Sequence, residues 1–162
     1  MLGKLLSKEE CAACRECCVF DRYSIWDTPL FDRESCEKIK ALRPGTRFVH
    51  REGGFLFLPE GDYDQFRCPA LGGNGCVLGD EKPFDCRIWP LMLMEKEGRT
   101  VIALSPVCET VAGKPAGAVM ELLQGGLSST IFAYAEKFPG AVRAYREGYP
   151  VLAEAQKSSG IK

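Results

Sequence analysis

The chain has 162 residues, of which 46% are apolar and 27% charged, with a formal net charge of −1. That length suffices for one domain with its own core, since a chain of roughly 150 residues buries about 68–70% of its unfolded surface, and the ordinary mixture excludes a disordered or fibrous class. A net charge so near zero argues against the strongly basic footprint of a nucleic-acid-binding domain and leaves a local basic patch open.

The opening "MLGKLLSKEE" has no continuous apolar run and turns charged at Lys8, so it does not read as a secretory signal, and no stretch approaches the roughly 18 apolar residues of a membrane span. The expectation is a soluble cytoplasmic protein with neither membrane nor nucleic acid as partner; a protein partner is left unspecified. Ser7 and Glu10 have the spacing of a capping box, which predicts a helix from Ser7 through "CAACRECC". At 100° per residue Cys11, Cys14 and Cys18 share one face of that helix, with Cys17 about 60° beyond Cys14. "DRYSIW" reads as a short strand. Asp27 or Thr28 then caps a second helix that has Pro29 at a first position and runs to about Arg43.

"TRFVH" and "GFLFLP" flank "REGG" as a β-hairpin, and "LMLM" and "TVIAL" flank "EKEGR" as another. From Lys114 the pattern is helical, in "PAGAVMELLQ", "SSTIFAYAEKF" and "AVRAYREG", punctuated by Gly125-Gly126 and Pro139-Gly140. "QKSSGIK" reads as a loose tail. No internal repeat or linker divides the chain, so the expected organisation is a single α+β domain over 1–162. Within it, 11–108 forms a cysteine-cluster region and 114–157 a helical C-terminal part.

Nine cysteines in a reducing compartment are poor candidates for a disulfide framework and better ones for metal or redox chemistry. Four lie at Cys11, Cys14, Cys17 and Cys18. The others recur as "CPALGGNGC" (Cys68, Cys76), "PFDCRIWP" (Cys86) and "SPVCE" (Cys108), each beside Pro or Gly, in loops whose amides can turn toward a thiolate. Cys36, inside the second predicted helix, reads as a small buried residue. Setting it aside leaves eight thiols, enough for two four-thiolate sites or for one cluster and one zinc.

Thiolates select zinc or iron–sulfur clusters, and the single histidine, His50, sits in a predicted hairpin where it reads as an ordinary strand residue. C-x2-C-x2-C with a later Cys68-Pro69 shares features with the bacterial ferredoxin pattern, in which the Cys-Pro follows at once. A thioredoxin-like pair needs a strand before "CAAC", and none fits. A radical-SAM motif needs a third cysteine where Asp21 stands. The eight thiols are expected to converge in one sulfur-rich region, with Cys36 outside it.

The ordered set C-x2-C-x2-C-C, then CP-x6-C, then P-x2-CR-x2-P (Pro83, Cys86, Arg87, Pro90) resembles the CxxCxxCC zinc- or iron-chelating domain family, the YkgJ-like cysteine-cluster proteins, over about Cys11 to Cys108. Lys82-Pro83 stands where that family has Arg-Pro. The resemblance implies chelation of zinc or an iron–sulfur cluster, at one or two sites, by Cys11, Cys14, Cys17, Cys18, Cys68, Cys76, Cys86 and Cys108. It extends distantly to flagellin lysine N-methylases, longer proteins with a similar cluster. The nucleoside-binding turn that methyl transfer would need is not evident here, because "GGNG" follows no convincing strand.

Around the thiols, Arg87 and Arg15 are candidate donors to thiolates or plain surface residues. Asp85 and Glu109 read as solvated, and Trp26, Trp89 and Phe84 as core or shielding residues. Three uses of a metal remain open: a metal-binding module, an iron–sulfur-dependent protein-modifying enzyme, and a metal-delivery or storage chelator. No acid–base pair or nucleophile–histidine motif is evident, so no catalytic residue is assigned.

Overall fold

A computed structural model describes residues 2–3 and 5–155, apart from the side chains of Tyr23, Ile25 and Trp26. The 156–162 part of the tail and the Trp26 side chain lie outside the described residues. Helix α1 (Lys8–Cys14) starts at the predicted capping box: Glu10 N–H donates to Ser7 Oγ at 3.1 Å, and Ser7 N–H donates to Glu10 Oε2 at 2.8 Å. Leu2 and Leu5, just before it, are buried against the helical half of the chain.

The helix does not carry the whole cysteine cluster. It stops at Arg15, which takes a left-handed φ of 60°, and Cys17 and Cys18 sit on a separate 3₁₀ turn, Glu16–Cys18. Such a φ is uncommon outside glycine. Here the guanidinium holds it, donating from Nε to Ala12 O at 2.8 Å and from Nη2 to Gly73 O at 2.6 Å. The first bond answers one of the carbonyls that every helix end leaves unpaired.

Strand β1 (Val19–Asp21) comes next, so the predicted strand "DRYSIW" is corrected: Arg22–Asp27 coils into 3₁₀ turns. Helix α2 (Arg33–Leu42) begins later than expected, capped by Asp32 Oδ1 on Ser35 N–H at 2.7 Å. Thr28–Phe31 is held extended instead, because Phe31 exchanges two backbone hydrogen bonds with Phe55, at 2.8 and 2.9 Å.

The predicted first hairpin forms as β2 (Phe48–Arg51) and β3 (Gly54–Phe57). β4 (Gln65–Arg67) pairs antiparallel with β1, setting Phe20 opposite Phe66. A very short hairpin, β5 (Leu71–Gly72) with β6 (Gly75–Cys76), follows. Gly75 has φ 104°, and a Cβ there would stand 3.3 Å from that of Ala12, so the glycine lets this hairpin close on α1.

Helix α3 (Phe84–Ile88) carries Cys86 into the second predicted hairpin, β7 (Leu91–Lys96) and β8 (Arg99–Leu104). After it come α4 (Glu109–Ala112), α5 (Ala116–Leu122) and α6 (Ser128–Lys137). Gly125-Gly126 does punctuate the helices: Gly126, with φ 108°, kinks the chain in a π turn, Leu123–Leu127, between α5 and α6, with Ser128 Oγ donating to Leu123 O at 2.9 Å.

"AVRAYREG" is not helical. It gives β9 (Arg143–Ala144), parallel to β7, and further on β10 (Val151–Glu154) pairs with β8, making a four-stranded sheet ordered β10-β8-β7-β9. Packing overrides local helix preference here. A Cβ on Gly140 would lie 2.0 Å from Glu52 O, so the chain is pressed against the β2–β3 turn, and Arg143 is drawn inward. The whole is a small mixed α+β chain of short antiparallel hairpins and helices. Among the described residues no helix is long and apolar enough to cross a membrane.

Two apolar clusters matter for the site. One joins Leu2, Leu5, Ile88, Leu93, Ile102 and the inner faces of α5 and α6. The other centres on Phe31, Ile39, Phe57 and Phe66, with Phe20 and Phe66 set 5.7 and 5.5 Å from the Phe57 ring. Cys18, Cys68 and Cys76 pack against the second.

Candidate functional site

Six thiols meet around one cavity of about 230 Å³: Cys11, Cys17, Cys18, Cys68, Cys76 and Cys86. Four local devices bring them there. α1 supplies Cys11. The break at Arg15 turns the chain so that Cys17 and Cys18 face the same space. A backbone bond, Cys68 N–H to Cys18 O at 2.8 Å, fixes the middle segment beside the first, and β5–β6 folds Cys76 back over it. α3 supplies Cys86.

The other cysteines lie elsewhere. Cys14 is exposed at the end of α1, and Cys108 is 3% exposed within the first apolar cluster; neither lines the cavity. The helix geometry that grouped Cys14 with Cys18 fails because the helix ends between them. Of the eight thiols expected to converge, six do. Cys36 is buried on the inner face of α2, outside the cavity, and burial pushes its thiol up to about 11. His50 is exposed on β2, its ring 5.6 Å from Phe55 edge-on.

The thiols are electrostatically unequal. Cys17 keeps its proton and shares it through hydrogen bonds to Cys11 and Cys18, which drives its own thiol up and lowers theirs, that of Cys11 to about 6. Burial raises Cys68 to about 12 and Cys86 well above the ordinary thiol range. Cys76 is also raised by burial, against the pull of amide hydrogen bonds from Leu78 and Gly79. The Ala70 amide donates likewise to Cys68. Such N–H groups aimed at sulfur are what the Pro- and Gly-rich loops suggested. Three cations line the cavity: Lys8, which pairs with Asp80 at 2.7 Å, Lys82 and Arg15. Lys82 favours the thiolate at Cys11, Cys18 and Cys76, and Arg15 does so at Cys18.

Arg15 therefore does more than sit at the surface, whereas Arg87 is exposed, its guanidinium 5.6 Å from the centre of the Phe84 ring. Phe84 stacks on Tyr134 at 4.2 Å, Trp89 packs partly buried against the apolar clusters, and Glu109 is exposed at the start of α4. Asp85 is not solvated. Its side chain is 10% exposed and its Oδ2 accepts from Leu30 N–H and from Arg143 Nη2, both at 3.1 Å. Arg143, 9% exposed, also donates from Nη1 to Ala141 O at 2.8 Å and from Nη2 to Thr28 O at 3.0 Å.

This pair ties α3, and with it Cys86, to β9 and to the extended segment before α2. Sequence reading missed Arg143 and Lys82 as participants. The clue to Lys82 was its place directly before the Pro83–Cys86 motif. For Arg143 no local signal exists.

As a donor set the cavity fits a soft metal: several thiols, backbone amides turned to sulfur, and cations nearby. The sulfurs stand around its walls, and among the described residues no group of three or more His, Cys, Asp or Glu side chains is set to hold a metal ion as it stands. No family model, curated protein or solved structure matches this chain.

Proposed function

We propose that the protein binds a soft metal in the thiol cavity, as zinc or as an iron–sulfur cluster. The observation that carries this reading is the gathering of six thiols from three separated stretches of chain, 11–18, 68–76 and 86, around one space. Hydrophobic packing alone gives no reason to put six oxidisable groups together, and Cys36 and Cys108 show how this chain buries a cysteine when packing is the only demand. The order of the cysteine motifs, which resembles that of the CxxCxxCC family, points the same way.

In this reading Cys11, Cys17, Cys18, Cys68, Cys76 and Cys86 supply the ligands. Zinc would provide a redox-inert crosslink, and an iron–sulfur cluster one-electron chemistry as well. Lys82 and Arg15 offset the thiolate charge. The Ala70, Leu78 and Gly79 amides hold the Cys68 and Cys76 sulfurs in place. The proton on Cys17 leaves as metal enters, so uptake releases protons. The side chains move inward from the cavity walls on binding. Six thiols exceed the four of a single closed site, which leaves room for a second ion or for exchange.

Anaerobic purification with analysis of metal and acid-labile sulfide tests the proposal. Zinc without sulfide, or iron with sulfide, near stoichiometric amounts is expected. A protein that holds neither, and takes up neither added zinc nor iron with sulfide, would overturn it.

A further inference from the structure

A second cavity, of about 350 Å³, shares Cys17, Pro29 and Cys86 as wall residues with the thiol cavity. Its volume falls within the range of pockets that take small molecules, and much of its wall is apolar, from Phe20, Ile88, Trp89, Leu91, Met92 and Leu93. The charges in it are mostly satisfied by one another: Asp85 pairs with Arg143, and Asp27 with Arg146. Counted together, the lining holds four carboxylates, including those of Glu16 and Asp21, against two guanidiniums. An anion entering such a space would lose its hydration and meet a negative field.

One polar group is left over. Arg143 lines this cavity with its side chain nine-tenths buried, and among the described residues its Nε–H has no hydrogen-bond partner. The rest of the guanidinium is spoken for, Nη1 by Ala141 O and Nη2 by Thr28 O and Asp85. A buried donor without an acceptor is costly, and its charge is already answered by Asp85, so it calls for a neutral acceptor atom. We propose that this cavity binds a mainly apolar, non-anionic small molecule that presents one carbonyl oxygen, of an amide or ketone, to Arg143.

The site stands apart from the question of what the thiols hold. Only Cys17, Pro29 and Cys86 are common to the two cavities, so a failure to find metal would leave it intact.

Three aromatic probes test the idea on the full chain labelled with ¹³C at the methionine methyls, both as purified and after chelation. They are N-benzylacetamide with a neutral carbonyl, propylbenzene with no acceptor, and phenylacetate with a negative charge. In both preparations N-benzylacetamide is expected to shift the Met92 methyl saturably and leave Met120, outside the cavity, unmoved. It should bind roughly two- to tenfold tighter than propylbenzene, the effect of one added hydrogen bond, with phenylacetate weakest. Val107 lines the cavity and is 53% exposed, so Val107→Trp should fold normally and weaken the probe by narrowing the entrance. The absence of a saturable Met92 shift, phenylacetate binding as tightly as the amide, equal binding of amide and hydrocarbon, or a folded Val107→Trp protein with unchanged affinity would each overturn the proposal.

Discussion

Asp85→Ala probes how the thiol site is attached to the rest of the fold. The substitution removes the charge facing Arg143 and the acceptor for Leu30 N–H, each at 3.1 Å, in a place where both side chains are about nine-tenths buried. Truncating one partner of a buried pair leaves the other charge stranded in low dielectric, which costs about 3–5 kcal/mol. The unpaired Leu30 amide is included in that range. Set against about 5–15 kcal/mol for a whole domain, the loss takes a large share of the stability. With a urea slope of about 2 kcal/mol per molar, the unfolding midpoint should fall by about 2 M. Asp85→Asn keeps an oxygen for Leu30 and should cost less. In a double-mutant cycle Arg143→Met, added to Asp85→Ala, should recover part of the loss, because the stranded cation is gone. Equilibrium urea denaturation followed by circular dichroism measures the four proteins of the cycle and Asp85→Asn. A midpoint for Asp85→Ala within about 0.3 M of the parent, or a cycle with no coupling, would refute the argument that this pair anchors α3.

The placement of the thiols separates the cysteines by experiment: Cys76→Ser should lower bound metal, whereas Cys14→Ser and Cys108→Ala should leave its stoichiometry unchanged, as read by elemental analysis of the purified proteins. Alkaline stability should report Cys36. Its folded pKa of about 11 lies above the ordinary value of 9.0, so the unfolded chain gives up a proton that the folded chain retains, and stability falls as pH rises from about 9 to about 11. The fall is about 2–3 kcal/mol at 1.36 kcal/mol per unit, and Cys36→Ala should lack that component; parallel stability curves for the two proteins from pH 8 to 11 would count against it. Gly140→Ala should destabilise by about 2 kcal/mol or more, since its Cβ would fall 2.0 Å from Glu52 O and the backbone must shift, and thermal unfolding of the variant checks this.

What the sequence by itself determined was local. The start of α1 lies in four consecutive residues, because Ser7 and Glu10 satisfy each other's amides whatever the rest of the chain does. The β2–β3 and β7–β8 hairpins are likewise legible, since two short apolar runs around a glycine-containing turn need only each other.

Tertiary structure decided where those residues went. A helical repeat places Cys14 beside Cys18, but the chain breaks at Arg15, and what holds that break is a bond to Gly73 O, 58 residues away. "AVRAYREG" has a helical pattern, yet Arg143 meets Asp85 across another 58 residues and the segment pairs with β7 as a strand. Both outcomes come from contacts between distant parts of the chain, whose energy exceeds the few tenths of a kcal/mol per residue by which local preference distinguishes helix from strand.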